Sequence, residues 1–346
     1  IGISKFGMII FNDIYQKIIT LENVFQGWEE FMVGKKKKKD ILIFERQLED
    51  NLFYLYKELK EKTYIPGEYS EFYVRDPKTR LIHKAPVFDR VVHHLVGREL
   101  ERIYEPTFYT HSYSCRKNKG THKGVLAFHS LARKVSKNNI KNCWVLKCDI
   151  KKFFASVNQK ILLEILGRKI KDKDFFNLLR KIIKSFGPQG IPIGNLTSQY
   201  FANIYLNELD QYIKQISRVN YYIRYADDFL FLSSDKPYLE NLLPIVQRFL
   251  KEKLDLELHE NKLFLTKFSG GVDFLGYIIF PHYILPRTKT RRRCFKKIRL
   301  KIKEYKTGEI TREKLNQTIQ SYLGYLKHAN SYKLQQELKK LQDYLE

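Results

Sequence analysis

The sequence has no long hydrophobic run. No stretch approaches the roughly 18 consecutive apolar residues that a helix needs to cross a membrane, so we predict no transmembrane segment. Residues 1–11 also lack the positive start, apolar core and small-residue cleavage site of a secretory signal, and a cytoplasmic protein is therefore the expectation. The chain starts at Ile1; Met8 is a candidate natural start, in which case residues 1–7 are an addition.

Cysteine is also scarce. The four cysteines form no Cys-x-x-Cys pair, and no pair of histidines lies near them at zinc-ligand spacing. They are Cys115, Cys143, Cys148 and Cys294. This pattern argues against a disulfide scaffold and a structural zinc site, and it predicts four reduced thiols.

Acidic residues are few compared with basic ones. The chain has 38 Asp and Glu against 63 Lys and Arg, a formal net charge of +25. Such a charge favours a polyanionic partner, and we predict nucleic acid; the alternative is a merely soluble basic protein. The 346 residues suggest two or three lobes, and a hydrophobic fraction of 43% is ample for a packed core.

Two segments concentrate the positive charge. The run Lys35–Lys39 is either a solvated loop or an RNA contact. Residues 287–307 contain 11 Lys or Arg and one Glu, and their apolar residues recur at helical spacing from Phe295 to Tyr305. We expect this basic helix to contact the backbone of a nucleic-acid duplex, with a solvated helix as the alternative.

Hydrophobic periodicity along the chain predicts both helices and strands. Helices are expected at 9–32, 41–62 and 87–104, in a segment that ends at about Lys137, at 158–170, 173–186, 196–217 and 237–254, and from 295. A last helical hairpin is expected over roughly 311–346. Strands are expected at 71–75, 80–84, 143–149, 219–225, 229–233 and 272–279, the first two forming a basic hairpin around Asp76-Pro77-Lys78-Thr79. His93 and His94 fall in a helix, where a core or surface position is favoured over metal binding.

Three carboxylates stand out by position. In the strand that ends at Asp149, Val145 and Lys147 share its face. Asp227 and Asp228 fall between two strand-like runs, and adjacent carboxylates at a turn are costly unless a cation compensates them. Two Mg²⁺ ions about 4 Å apart can support nucleotidyl transfer, with Asp149 and Asp227 as principal ligands and Asp228 nearby.

These residues carry a family resemblance. The segment Tyr225-Ala226-Asp227-Asp228 resembles the active-site hairpin of reverse transcriptases, and Asp149-Ile150-Lys151-Lys152-Phe153-Phe154 is similar to the motif that supplies their first metal-binding Asp. The motif order over about 65–285 also fits, and the basic tail fits a thumb. The resemblance implies a right-hand polymerase with fingers, an antiparallel-sheet palm backed by helices and an α-helical thumb, which is an α+β fold. It also implies that Asp149, Asp227 and Asp228 are catalytic and that they lie, together with Ile150, at the metal site.

The resemblance implies further site residues. The expected nucleotide-binding residues are Lys78, Arg80, Phe154, Ile193, Gly194, Gln199 and Lys262. The expected primer or template contacts are Arg116, Phe274, Leu275, Gly276 and Tyr277. Phe154 would act as the bulky gate against a ribose 2′-hydroxyl, or else as core packing. Lys262 would steer or protonate the pyrophosphate, or else is a surface lysine.

One departure from the family pattern points to a subgroup. Where many reverse transcriptases have Gln-Gly-x-x-x-Ser-Pro, this chain has Ile193-Gly194-Asn195-Leu196-Thr197-Ser198-Gln199. The change resembles reverse transcriptases of diversity-generating retroelements, which make cDNA mutagenised at adenines. A Gln at 193 could hydrogen-bond the nucleotide and template, whereas Ile cannot, so discrimination between right and wrong pairs would shrink. The alternative is that Ile193 is a packing substitution.

The resemblance also implies a domain plan and partners. The plan is an N-terminal helical segment (1–62), fingers (63–142), a palm with interleaved fingers helices near 158–190 (143–284) and a thumb (285–346). The partners would be template RNA, a cDNA/RNA hybrid, deoxynucleoside triphosphates and a small basic accessory protein that is a homopentamer, with no membrane involved. Mn²⁺ is a possible substitute for Mg²⁺.

Two competing functions stay open. The chain could be another bacterial reverse transcriptase, from a retron, a group II intron or phage defence; the sequence ends at residue 346 without a maturase or endonuclease domain, which counts against a full intron protein. It could instead be a non-catalytic RNA-binding module of the same fold, against which the presence of Asp149, Asp227, Asp228 and Phe154 argues.

Overall fold

The computed structural model describes residues 2–3, 9–35, 37–76 and 78–343. The helices in these residues are α1 (Tyr15–Ile18), α2 (Leu21–Met32), α3 (Lys39–Glu45), α4 (Leu48–Lys60), α5 (Val87–Tyr104), α6 (Thr121–Val135), α7 (Phe153–Ser156), α8 (Gln159–Lys169), α9 (Lys173–Lys184), α10 (Leu196–Gln211), α11 (Lys236–Leu254), α12 (Thr288–Lys306), α13 (Arg312–Leu326) and α14 (Tyr332–Asp343). The strands are β1 (Gly2–Ile3), β2 (Ile9–Ile10), β3 (Ser70–Val74), β4 (Arg80–Lys84), β5 (Trp144–Asp149), β6 (Tyr221–Tyr225), β7 (Asp228–Ser233), β8 (Phe264–Lys267), β9 (Val272–Phe274), β10 (Tyr277–Ile279) and β11 (Ile284–Pro286). No helix in the described ranges is both long and apolar enough to cross a membrane.

The chain forms two compact units, each assembled from three segments. The first comprises Ile1–Thr110, Asp149–Arg218 and Ile245–His259, within the limits of the described residues. The second comprises His111–Cys148, Val219–Pro244 and Glu260–Glu346, within the same limits. The sequence-based domain plan divides the chain differently and stays a prediction.

Helix α5 is central to the first unit. Its apolar residues recur on more than one face, so it is covered by α2 on one side and α10 on another. Small residues permit these close approaches: a Cβ at Gly97 would lie 3.0 Å from the Tyr200 ring, and a Cβ at Gly27 would lie 3.3 Å from Leu95. The predicted helix over 87–104 is confirmed.

The β3–β4 hairpin of the first unit pairs in antiparallel register from Ser70–Lys84 to Val74–Arg80, as the sequence predicts. Residue 77 of the predicted turn lies outside the described residues. So does residue 36 of the basic run, in which Lys39 already begins α3. Met8 and the other residues of 4–8 also lie outside them.

The second unit is built on a four-stranded sheet in the order β6-β7-β5-β8. The apolar stripe of α6 packs on this sheet through Val125, Phe128 and Leu131, against Ile223 and Leu230. The pairs β6–β7 and β5–β8 are antiparallel, which agrees with the predicted α+β class.

The three-stranded sheet β11-β10-β9 shows that the single strand expected at 272–279 is wrong. Leu275 and Gly276 both have positive φ angles, +51° and +91°, and they form a tight turn between β9 and β10. Two central residues with positive φ match the twist of a two-residue hairpin. Residues 280–283 connect β10 to β11.

The helices expected at 9–32 and 41–62 are each interrupted. Residues 9–10 are strand β2, and Thr20 caps the separate helix α2 by accepting a hydrogen bond from the Asn23 N–H at 3.2 Å. Helix α3 ends before α4 begins, and the Asn51 side chain donates to the Phe44 carbonyl at 3.0 Å where α3 ends. The helix expected at 196–217 becomes a π-helical turn from Tyr212.

Helices α12, α13 and α14 form a separate hydrophobic cluster near the end of the chain. Its buried members include Cys294 and Ile298 of α12, Leu315 and Ile319 of α13, and Leu338 of α14. The predicted basic helix therefore exists, and it begins earlier than Phe295. Cys294, Ile298 and Ile302 face the cluster, whereas Leu300 is exposed, as are charged residues such as Lys296, Arg299 and Lys303.

Candidate active site

The Asp227 and Asp228 carboxylates lie where the β6–β7 hairpin turns. Tyr225 pairs with Asp228 across the hairpin, so β7 begins one residue earlier than the sequence predicts and Ala226-Asp227 is the tip. Ala226 has a φ of +53°, a left-handed conformation that is costly for a residue with a Cβ. The Arg224 guanidinium, which is fully buried, donates to the Ala226 carbonyl at 3.3 Å and supports that conformation.

A neighbouring segment holds this hairpin from the side. The Arg224 N–H donates to the His111 carbonyl, and the Tyr113 N–H donates to the Arg224 carbonyl, both at 2.9 Å. In the basic loop that follows, Arg116 donates to the Ser112 carbonyl at 2.8 Å. The predicted template contact Arg116 therefore lies on a loop attached to β6, the strand that ends at Tyr225 just before the aspartates.

Asp228 is paired with a lysine of the adjacent strand. Its Oδ2 atom lies 3.3 Å from Nζ of Lys147, which also donates to the Asp273 carbonyl at 2.7 Å. Burial, and secondarily the Asp228 charge, raise the pKa of the neighbouring Cys148 thiol well above its ordinary value. Sequence reasoning did not assign Lys147 a role, although a lysine on the face of an apolar strand that also carries Asp149 was the available signal.

Asp149 ends β5 and belongs to the first unit. Its carbonyl accepts from the His259 N–H at 2.8 Å, and the Lys151 N–H donates to the Glu257 carbonyl at 2.9 Å. These two hydrogen bonds form an antiparallel β-bridge between Ile150 and Leu258, and they involve neither the N–H nor the carbonyl of Ile150. The Ile150 carbonyl therefore takes no part in either bond of the bridge.

Phe154 is tied to the segment that carries Ile193. The Phe154 carbonyl accepts from the Ile191 N–H at 2.8 Å, and its half-buried ring meets Phe153 edge-on at 5.4 Å. A Cβ on Gly190 would lie 3.0 Å from the same carbonyl, so that position requires glycine both for space and for its φ of +80°. Phe153 is the buried member of the pair.

The same segment also contacts the β3–β4 hairpin. The His83 N–H donates to the Ile193 carbonyl at 3.0 Å, and the Asn195 side chain donates to the His83 carbonyl at 2.9 Å. A Cβ on Gly194 would lie 2.7 Å from Cγ2 of Ile82, so the two segments touch there. Phe154, Ile193 and Gly194 are thus connected to the strand that begins at Arg80.

Exposure separates the predicted nucleotide-binding residues into two groups. Lys78, Arg80, Gly194 and Gln199 are exposed, whereas Ile193 and Phe154 are half-buried. Lys262 is half-buried and closes a short 3-10 turn of the second unit. Lys78 and Arg80 lie at the tip of the β3–β4 hairpin, where exposed cationic side chains are accessible to a phosphate.

The chain matches the family model for reverse transcriptase (RNA-dependent DNA polymerase) over residues 74–279. It belongs to this family. The range includes Arg80, Asp149, the Ile193 segment, the Asp227-Asp228 hairpin and the β9–β10 turn. With it, the predicted fold class, α+β of the right-hand polymerase type, is confirmed.

The chain is also similar to individual proteins. Protein YkfC of Escherichia coli is 26% identical over 236 residues, which cover 55% of this chain and 60% of that protein. The group II intron-encoded protein LtrA of Lactococcus lactis is 24% identical over 305 residues, which cover 67% of this chain and 50% of LtrA. The chain thus spans only about half to three fifths of these two relatives. Among solved structures, telomerase from Candida albicans has a TM-score of 0.49 and 12% identity, covering 79% of this chain and 60% of that one.

The predicted primer or template contacts at 274–277 divide into core and turn residues. Phe274 and Tyr277 are buried, while Leu275 and Gly276 form the half-exposed turn. Tyr325 of α13 clasps that turn: its hydroxyl donates to the Gly276 carbonyl at 2.6 Å. The Tyr277 hydroxyl donates back to the Tyr325 carbonyl at 2.8 Å, and the two rings stack at 4.7 Å. No sequence pattern pointed to Tyr325.

The carboxylates of this reverse transcriptase have the chemistry of magnesium ligands, since Mg²⁺ prefers oxygen donors. Within the described residues, no group of three or more His, Cys, Asp or Glu side chains is placed to hold a metal ion. Asp227 and Asp228 supply adjacent carboxylates on one turn, and Asp149 with the Ile150 carbonyl supplies oxygens at the end of β5. The four cysteines are free; only Cys115 is exposed.

Proposed function

We propose that this chain is an RNA-directed DNA polymerase that extends a primer on an RNA template with deoxynucleoside triphosphates. The observation that carries the proposal is the β6–β7 hairpin. It presents Asp227 and Asp228 at a turn held by Arg224, within a chain that matches the reverse transcriptase family. Two adjacent carboxylates at a turn repel each other, and a bound cation would compensate that repulsion.

Asp149, the Ile150 carbonyl, Asp227 and Asp228 would hold two Mg²⁺ ions. When bound, the ions would activate the primer 3′-hydroxyl and stabilise the leaving pyrophosphate. Each unit fixes its own oxygens: the bridge beside Asp149 and Ile150 holds those at the end of β5, and the β6–β7 turn holds the carboxylates of Asp227 and Asp228. Lys262, near the start of β8, is the candidate group for the departing pyrophosphate.

The connected segments of the first unit would bind the incoming nucleotide. Arg80, with Lys78 beside it, would contact the triphosphate, because a guanidinium can bind phosphate through two hydrogen bonds. The Phe154 ring would exclude a 2′-hydroxyl. Its backbone bond to Ile191 and its contact with Phe153 limit how far the ring can retreat. In the second unit, Arg116 would contact the template and the Leu275-Gly276 turn the primer.

Primer extension tests this function. Wild-type protein with Mg²⁺, an RNA template and an annealed primer should incorporate deoxynucleotides. Asp227→Asn, which keeps the side-chain shape and removes the charge, should abolish incorporation, whereas Asp50→Asn on the exposed face of α4 should not. A wild-type protein that binds RNA but never extends any primer would make it an RNA-binding module.

The finer proposal is that the enzyme belongs to a diversity-generating retroelement and makes cDNA with errors concentrated at template adenines. It is supported by Ile193, which offers an aliphatic side chain where a Gln could hydrogen-bond, and by the exposed Gln199 where many relatives have Pro. The Ile193 backbone is fixed by His83, so a change of side chain there should alter contacts with the base pair without moving the segment.

Ile193→Gln tests this subtype. If the aliphatic side chain weakens pair discrimination, the variant should make several-fold fewer errors opposite adenine, counted by sequencing cDNA made from one template RNA with and without the small basic accessory protein. Ile65→Gln, at an exposed position of the same unit, is the matched control and should leave the error spectrum unchanged. An identical spectrum for wild type and Ile193→Gln would defeat the mechanism.

A further inference from the structure

Lys147 lies in the sheet of the second unit with only 17% of its side chain exposed. Its neighbours in β5, Leu146 and Cys148, are buried. Removing an ammonium group from water is costly unless charges or hydrogen-bond acceptors compensate it. Lys147 has one of each: Oδ2 of Asp228 at 3.3 Å and the Asp273 carbonyl at 2.7 Å.

The polar contacts continue from Asp273 to the first thumb helix. The Asp273 carboxylate forms an ion pair with the Arg287 guanidinium, and Arg287 is the residue that immediately precedes α12. The Arg287 N–H also donates to the Gly276 carbonyl at 2.9 Å. A continuous series of polar contacts therefore runs from Asp228 through Lys147 and Asp273 to the start of α12, all inside the second unit.

We propose that Lys147 is a positioning residue: its ammonium group holds Asp228 of the catalytic hairpin in one orientation and anchors it to β9. The inference rests on the proposed polymerase function. Asp228 follows another carboxylate, so repulsion between the two favours side-chain orientations that separate them. A cation fixed by the Asp273 carbonyl opposes that repulsion on one side of the hairpin. Lys147 need not touch the substrate to do so.

The position of Lys147 gives it two opposite effects on a bound metal. It orders a carboxylate of the metal site, which favours catalysis. Its positive charge also opposes a divalent cation held by the same carboxylate, which weakens binding. Loss of Lys147 should therefore lower turnover and tighten metal binding together. If Lys147 merely stabilised the fold, its loss would lower turnover and also weaken metal binding.

Lys147→Met separates these outcomes, because methionine keeps most of the side-chain length without the charge. We expect kcat for primer extension to fall roughly tenfold to a hundredfold, as for the removal of a charge-assisted hydrogen bond. The KM for the deoxynucleotide should change little. Mn²⁺ binding to the protein without nucleic acid, measured by electron paramagnetic resonance, should tighten by up to about tenfold. Lys147→Arg, which keeps the charge, should recover part of the turnover.

Lys267→Met is the matched control. Lys267 lies on the adjacent strand β8 and is exposed, so its loss removes the same charge from the same sheet. It should alter neither kcat nor Mn²⁺ affinity appreciably. Thermal unfolding of each variant checks the fold. Adding Lys147→Met to Asp228→Asn should lower kcat by a much smaller factor than adding it to the wild type does, because Asp228, the partner of Lys147, is already altered.

The results also distinguish this inference from the proposed function. An inactive wild-type protein would defeat the polymerase assignment itself. An active wild type whose Lys147→Met variant keeps its turnover would overturn the positioning role. So would weaker or unchanged Mn²⁺ binding in that variant, or an equal loss in Lys267→Met.

Discussion

His93 is buried in the middle of α5, with 2% of its surface exposed. Its Nδ1 atom has no hydrogen-bond partner among the described residues. Burial chiefly, and then the charges of His94 and Arg90, lower the pKa of His93 from 6.5 to about 3. The histidine is therefore neutral in the folded protein at neutral pH. Of the core and surface positions that the sequence left open for it, the structure shows the core.

This burial makes stability depend on pH. Because the folded-state pKa lies below the unfolded value, the unfolded chain takes up the proton first as pH falls. The contribution of His93 is complete above about pH 6.5 and is lost as pH falls toward 3. Between pH 7 and pH 5 the free energy of unfolding should drop by about 2 kcal/mol from this group. Urea unfolding at both pH values measures it.

His93→Leu isolates the group. Leucine fills a similar volume and does not titrate. The variant should therefore lose most of the difference in free energy of unfolding between pH 7 and pH 5 that the wild type shows. His282→Leu, at an exposed position, should keep the wild-type dependence. If the free energy of unfolding changes with pH equally in the wild type and in His93→Leu, His93 takes up protons in the folded state as readily as in the unfolded chain.

Single residues differ in how well the sequence reveals them. Asp149, Asp227 and Asp228 are visible because a carboxylate next to an apolar run is unusual. Lys147 and Arg224 are harder to find: their roles depend on which strands are neighbours, and the sheet order β6-β7-β5-β8 does not follow the chain. The position of Lys147 on the same strand face as Asp149 is a weak local signal, and its partner Asp228 can be identified only when that order is known.

Helices and strands, too, differ in how well the sequence predicts their limits. Helix α5 was predicted with its observed limits because its apolar periodicity is uninterrupted. The breaks after α1 and α3 depend on the capping by Thr20 and Asn51, which periodicity does not register. The β9–β10 turn was missed because its apolar residues read as one strand, although Gly276 was the local sign of a turn.

The clasp between α13 and the β9–β10 turn leads to a prediction about product length. Tyr325→Phe keeps the stack on Tyr277 and removes the hydrogen bond to the Gly276 carbonyl, a loss of about 1 kcal/mol. A looser turn should hold the primer end less well. In single-encounter extension with a heparin trap, the variant should make shorter products, with the first-nucleotide rate little changed.

Tyr332→Phe provides the control for this clasp. Tyr332 begins α14, and 74% of its surface is exposed. The substitution removes a tyrosine hydroxyl from the same group of helices without touching the turn. If both variants give wild-type product lengths, the clasp stabilises the fold without contributing to the grip.

At the scale of the whole molecule, the charge of +25 is unevenly distributed. The family match ends at residue 279, before α12, yet α12 has the most one-sided composition in the chain. Its buried Cys294 and Ile298 face α13 and α14, and Lys296, Arg299 and Lys303 are exposed. Its one acidic residue, Glu304, is paired with Lys301. A surface of this kind fits the phosphate backbone of a primer–template duplex.

The salt dependence of duplex binding tests this assignment. Replacing Lys296, Arg299 and Lys303 together by Gln should weaken binding and reduce the slope of log Kd against log salt by about 0.7–0.9 for each phosphate that is no longer neutralised. Replacing Lys17, Lys57 and Lys60 by Gln removes the same charge from exposed positions of α1 and α4. If α12 binds the duplex, only the first variant should change the slope, because a direct phosphate contact releases counterions and a distant charge does not. Equal slopes in the two triple variants would mean that net charge alone attracts the nucleic acid, and that α12 is a solvated helix.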